Sequence, residues 1–297
     1  MNPIDVKRRI VQKLKRIVKD SFWLFKVTLI AILLAILLRV FLFASFSVPT
    51  PSMEPTIMAG DFVMVNKLIP GPRLFKSWGF LNGTDFSMRR LKGWRNIKRN
   101  DILVFNFPYS KGKLEIDLNV FYAKRCIAIP GDTFYIDNGI YKIRGLTEPI
   151  GYLPLQQVVA ERLAEEFVEP VFNCFPHNSA LGWNIKNFGP IYVPEKNDVV
   201  SINTISILLY KNLIEYETNQ KVTIEEGKVF LDDKLINDYL FLKNYYFMAG
   251  DHAPDSQDSR YWGLLPEDHI VGKAFFVWKS KDVRTGKWQW KRFFKRI

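Results

Sequence analysis

Residues 27–38 read VTLIAILLAILL, and with the apolar flanks 22–25 and 40–46 the stretch is long enough to cross a bilayer, which takes roughly 20 residues of helix. No second stretch compares: residues 203–216, NTISILLYKNLIEY, are interrupted by Lys211 and Glu215 and predict an amphipathic soluble helix. The chain therefore reads as one transmembrane anchor over residues 22–45. Lys26 and Arg39 bracket the run and can extend their heads toward the two interfaces. Eight Lys and Arg lie in residues 1–26 and none in residues 40–66. The excess of positive charge on the cytoplasmic side of a span then puts the N-terminus in the cytoplasm and everything after the span outside it. The expected location is the inner (cytoplasmic) membrane, single-pass, with a periplasmic or extracytoplasmic domain. A cleavable signal peptide has a similar layout. The basic segment 1–21 is long for one, and its Ile10, Val11, Leu14, Ile17 and Val18 fall at helical spacing, as on a helix lying along the membrane face.

The formal charge of +12 suggests nucleic-acid binding until it is divided along the chain. Residues 1–26 carry +6 and residues 279–297 carry +7, so the body between them is essentially neutral. A fold that binds nucleic acid needs its basic face on the folded body, so nucleic acid is not expected as a partner. The tail 281–297 interleaves Trp288, Trp290, Phe293 and Phe294 with Lys and Arg, a pattern suited to anionic lipid. Two cysteines, Cys126 and Cys174, permit one bridge at most and exclude a disulfide scaffold. The three histidines are scattered and form no metal-ligand motif, so neither metal nor cofactor is expected.

After Pro49 the pattern turns to short β-prone runs at 62–65, 102–107, 120–129, 133–136, 140–143, 222–224, 229–231 and 273–278, separated by Gly-Asp, Asn-Asp and Asn-Gly turns. This spacing predicts a mainly β, antiparallel domain over 46–146 and 221–280. Helices are expected at 154–168 and 203–216, both inside a mixed α/β insertion or subdomain at 147–220.

Chemistry concentrates in three segments. The first is FSVPTPSMEPTIMAGDFVMVNKL, residues 46–68, where Pro51 and Pro55 flank Ser52 and favour a stiff, extended loop. Ser52 is a candidate nucleophile, although a linker leaving the membrane would look the same. The second is VFYAKRCIAIPGD, residues 120–132. Lys124 in this apolar strand either extends outward or is buried and readily deprotonated, which would make it a base. The third is MAGDHAPDSQDSRYWG, residues 248–263.

Taken in this order behind an anchor, the three segments resemble the signature boxes of type I signal peptidases. The resemblance covers about 46–68, 99–108, 120–137 and 247–278. It implies a membrane-bound serine endopeptidase with a Ser/Lys dyad that cuts signal peptides from exported preproteins, with the bilayer and the translocation machinery as further partners. Ser52 matches the nucleophile and Lys124 the general base. Thr50 and the Ser52 backbone N–H match the oxyanion hole, and Ser256 the serine that orients the lysine. Asp258 and Arg260 match a structural brace. Phe46, Val48, Met53, Ile57 and Ala123 match the walls of small apolar pockets for an Ala-x-Ala substrate. Arg125 carries no implied chemistry and reads as a solvent-facing strand residue. His252-Ala253 stands where the family commonly has Asn-Arg, and Ala128 where glycine is frequent. A self-cleaving Ser/Lys protease and a catalytically silent membrane-anchored scaffold are the other classes with these features.

Overall fold

The computed structural model describes residues 3–76, 87–110 and 112–297, in two compact units, Met1–Ala44 and Ser45–Ile297. The first unit is the helix Pro3–Leu37, continued by a π-helical stretch, Leu38–Leu42. No glycine or proline interrupts residues 4–48, and Leu, Ile, Ala and Lys supply helix propensity. Lys15–Leu42 contains an 18-residue stretch of mean hydropathy 2.5 and, among the described residues, is the one helix long and apolar enough to cross a membrane. The amphipathic face expected of Ile10, Val11 and Leu14 lies outside the described side chains. The helical stretch ends before residue 45, because Phe43–Val48 forms a strand of alternating exposure that pairs with the next strand, Asp61–Asn66.

The second unit is built on an eight-stranded sheet. Its order is Phe43–Val48, Asp61–Asn66, Ile270–Ser280, Ile102–Asn106, Phe121–Ala128, Tyr245–Ala249 and Leu265–Pro266, with Lys295–Arg296 added beside Ile270–Ser280. Antiparallel pairing joins the inner strands and sets Leu103 opposite Lys124 and Ala249 opposite Arg125. Chain leaving at Gly250 therefore arrives beside Lys124. A smaller sheet holds the hairpin Thr133–Asp137 and Ile140–Ile143. Its two-residue turn, Asn138-Gly139, has both φ angles positive, at 46° and 82°, the geometry that Asn-Gly supplies at least cost.

The first expected helix is shorter than its sequence span. It runs Leu153–Glu161 and gives way at Arg162 to extended backbone and a 3-10 turn, Ala164–Glu166. Lys186 Nζ takes up the freed carbonyls of Ala160 and Arg162 at 3.0 and 2.6 Å. The second helix begins late, at Ser206, after a turn in which Asn203 Oδ1 accepts the N–H groups of Ile205 and Ser206.

Residues 147–220 do not form a compact unit of their own. Val159, Ile207, Tyr210 and Ile214 share one core with Phe134, Phe241 and Phe247. The tail is also part of this unit: Lys295–Arg296 pairs with Phe276 and Val277, while Trp288, Trp290 and Phe294 stay exposed. Cys126 and Cys174 are buried and unpaired with each other.

Candidate active site

Ser52 lies in a single 3-10 turn, Pro51–Met53, rather than in an extended loop. Pro51 at the first position suits that turn, since its missing N–H would have no partner there. Glu54 N–H closes the turn on the Pro51 carbonyl at 2.8 Å, and Ile57 N–H reaches the Met53 carbonyl at 2.9 Å. Met53 and Ile57 are both completely buried, in a small core with Val48, Val63 and Val104. Burial of each is worth about 1.5–3 kcal/mol, so the two side chains pin the turn and leave Ser52 half-exposed above it. They were expected to line substrate pockets. Both side chains are enclosed in the small core, and Phe46 and Ala123 rest on it.

Lys124 is buried, not turned outward, with 3% of its surface exposed. Its Nζ donates to Ser52 Oγ at 2.5 Å. Burial pushes the ammonium down to about 8; Asp258 opposes the shift, Arg260 adds to it, and Asp251 and Asp255 oppose it. A lysine in this state is half neutral near pH 8, and its amine can exchange a proton with the serine hydroxyl. Thr50 Oγ1 stands 3.4 Å from Ser52 Oγ.

The segment 248–263 closes the site from the other side. His252 N–H donates to the Ser52 carbonyl at 3.1 Å. Asp258 and Arg260 form a fully buried ion pair, with two bonds of 2.8 Å. Burial alone would raise the Asp258 carboxyl; Arg260, Lys124 and the Gly250 N–H bring it below its ordinary range. Arg260 also donates to the Ala253 and Ser256 carbonyls, which fixes the loop between them. Ser256 Oγ is buried and has no hydrogen-bond partner among the described residues, so it makes no bond to Lys124 in this structure.

Three positions escaped the sequence reading. Arg125 is not solvent-facing: it clasps Asp251 through two bonds of 2.6 Å, with 15% of the arginine and 1% of the aspartate side chain exposed. Asp251 also accepts from Thr56 Oγ1 at 2.5 Å. One carboxylate thus ties the serine turn, the lysine strand and the third segment together. Gly250 is the third: a Cβ there would sit 2.4 Å from the Ser52 carbonyl oxygen and 2.2 Å from Ser256 Oγ. The Gly-Asp pair at 250–251 reads locally as a turn signal, which hides both roles.

A groove of about 500 Å³ runs past the pair, lined by Phe46, Val48, Thr50, Ala123 and Phe121 among others. The Phe46 and Phe121 rings meet at 4.8 Å.

The pattern of the family described as "Signal peptidase, peptidase S26" matches residues 21–279. The chain belongs to this family. As a peptidase S26 it is a serine-type endopeptidase, and the matched region runs from the apolar helix to the end of the strand Ile270–Ser280, leaving out the tail. It is similar to proteins named Signal peptidase I in several bacteria. That of Buchnera aphidicola subsp. Acyrthosiphon pisum (strain APS) is 27% identical over 256 residues, 85% of this chain and 73% of that protein. That of Pseudomonas aeruginosa is 28% identical over 259 residues, 83% and 68%. For Aquifex aeolicus the values are 26% over 266 residues, 86% and 84%.

Proposed function

We propose that this peptidase S26 removes N-terminal signal peptides from exported preproteins at the cytoplasmic membrane, with Ser52 as nucleophile and Lys124 as general base. The observation that carries the reading is the 2.5 Å contact between Lys124 Nζ and Ser52 Oγ, made by a lysine that burial holds near half neutrality. Neutral Lys124 takes the Ser52 proton as Oγ attacks the scissile carbonyl carbon. The Ser52 N–H and the Thr50 hydroxyl donate to the resulting oxyanion. Collapse of the tetrahedral intermediate breaks the C–N bond, and the Lys124 ammonium returns its proton to the leaving amine. Water, with Lys124 again as base, then releases the acyl group from Ser52. Ser256, buried and unpartnered, orients the lysine when the serine hydroxyl turns to substrate; Asp258 and Arg260 hold that loop.

Phe46, Val48 and Ala123 take the segment before the cleaved bond, and their apolar, shallow surroundings favour small side chains there, as in Ala-x-Ala. The body over 46–280 is the protease, elaborated by residues 147–220. Lys15–Leu42 spans the membrane with the basic N-terminus in the cytoplasm. The exposed Trp288, Trp290 and Phe294 with their basic neighbours rest on anionic lipid, and the translocation machinery delivers the substrate. Ser52→Ala and Lys124→Met, tested separately on an exported preprotein, should each lower processing at least about 10³-fold. Near wild-type processing by either variant would sink the dyad.

A further inference from the structure

Asp255 and Gln257 line the groove without a role in the proton transfers above, although the Asp255 charge opposes the lowering of the Lys124 pKa. Backbone bonds in series fix their position: His252 N–H reaches the Ser52 carbonyl at 3.1 Å, and Asp255 N–H the His252 carbonyl at 3.0 Å. Ser256 turns inward and is buried, while the residues on either side of it are exposed and line the groove. Among the described lining residues Asp255 is the one carboxylate and Lys124 the one cation. The attacking state requires a neutral Lys124, so at that moment Asp255 is the one charged side chain among the described residues that line the groove.

We propose that Asp255 sets a charge preference for the residues that follow the scissile bond, favouring cationic side chains and rejecting acidic ones. This inference rests on the Ser/Lys reading of the site. The Phe46–Phe121 contact marks an apolar part of the groove, and Phe121 stands three positions, about 10 Å, along the strand from Lys124. Chain before the bond occupies that apolar part. The loop 252–257 hangs from Ser52 itself, at the reacting end, so the leaving amine and the residues attached to it pass Asp255. Gln257, neutral, offers them an amide without a charge preference.

The test uses the full chain in detergent micelles and preprotein-derived peptides identical except for Lys-Lys, Gln-Gln or Glu-Glu immediately after the cleavage site. At low salt the wild type should cleave the Lys-Lys peptide with a kcat/KM roughly tenfold above that of Glu-Glu, and added salt should shrink the ratio. Asp255→Lys should reverse the order. Equal rates for the wild type, or a ratio unchanged in Asp255→Lys while the peptides are still cleaved, overturn the role of Asp255 and leave the dyad intact. Cleavage that survives Ser52→Ala overturns the dyad, and with it this inference.

Discussion

The guanidinium of Arg292 closes on the carboxylate of Asp61, 231 positions earlier in the chain, with its Nε 2.9 Å from Oδ1. Asp61 is wholly buried and also accepts the Met58 N–H, and the same arginine donates to the Thr56 carbonyl at 3.2 Å. The tail therefore braces the turn that presents Ser52. Arg292→Gln leaves a buried carboxylate without its cation and should cost about 3–5 kcal/mol of stability. Denaturant unfolding reads the loss, and faster amide exchange at Met58 would place it in the serine turn.

Activity should follow the neutral form of Lys124. With its pKa held near 8 by burial, kcat/KM should fall about tenfold per pH unit below roughly pH 7 and level off above about pH 9. A pH profile with a single basic limb near 8 is the expected result; a limb near 6.5 would point to a histidine instead.

The same lysine should trade stability for activity. Unfolded, it titrates near 10.5; folded, near 8. Below pH 8 both states hold the proton and the folded state carries the full cost of a buried ammonium. That cost fades between pH 8 and 10.5 and is absent above. Lys124→Met should thus be inactive yet more stable by about 1–3 kcal/mol at pH 7, with the gain gone above roughly pH 10.5. Paired Tm measurements at the two pH values check it.

Much of the site was readable in sequence because its constraints are local. Prolines around Ser52 mark a stiff segment, though not its 3-10 turn, and the apolar neighbours of Lys124 mark a strand whose lysine could be buried or turned outward. The Arg125–Asp251 clasp was not readable. Strand alternation puts Arg125 on the face opposite its neighbour Lys124, which suggests solvent. A segment 126 positions later in the chain covers that face, and no local pattern records it. Met53 and Ile57 show a related limit of local pattern: their apolar character suits a pocket wall and a core equally, and the sequence does not record how deep they lie.

Asp258→Ala removes one half of a fully buried ion pair and strands the Arg260 guanidinium, at about 3–5 kcal/mol. Because Arg260 also holds the Ala253 and Ser256 carbonyls, the variant should lose activity even under conditions where it is still folded. Circular dichroism beside a cleavage assay separates the two effects.

Gly250→Ala should be more damaging than its single methyl suggests. The new carbon would collide with the Ser52 carbonyl oxygen, which is backbone and cannot swing aside. Either the serine turn or the strand end must shift, and the Lys124–Ser52 contact goes with it. A loss of at least about 10²-fold in kcat, with far-UV dichroism retained, is the expected outcome.

The strand Ile270–Ser280 lies between Asp61–Asn66 and Ile102–Asn106 in the sheet. Ribosomes make those two flanking strands first and their shared neighbour 164 residues after the second of them, so through that interval each presents an open row of amides and carbonyls beside apolar side chains. A nascent chain of this kind is vulnerable to strand addition by another chain until residues 270–280 emerge, on the order of ten seconds at ordinary elongation rates.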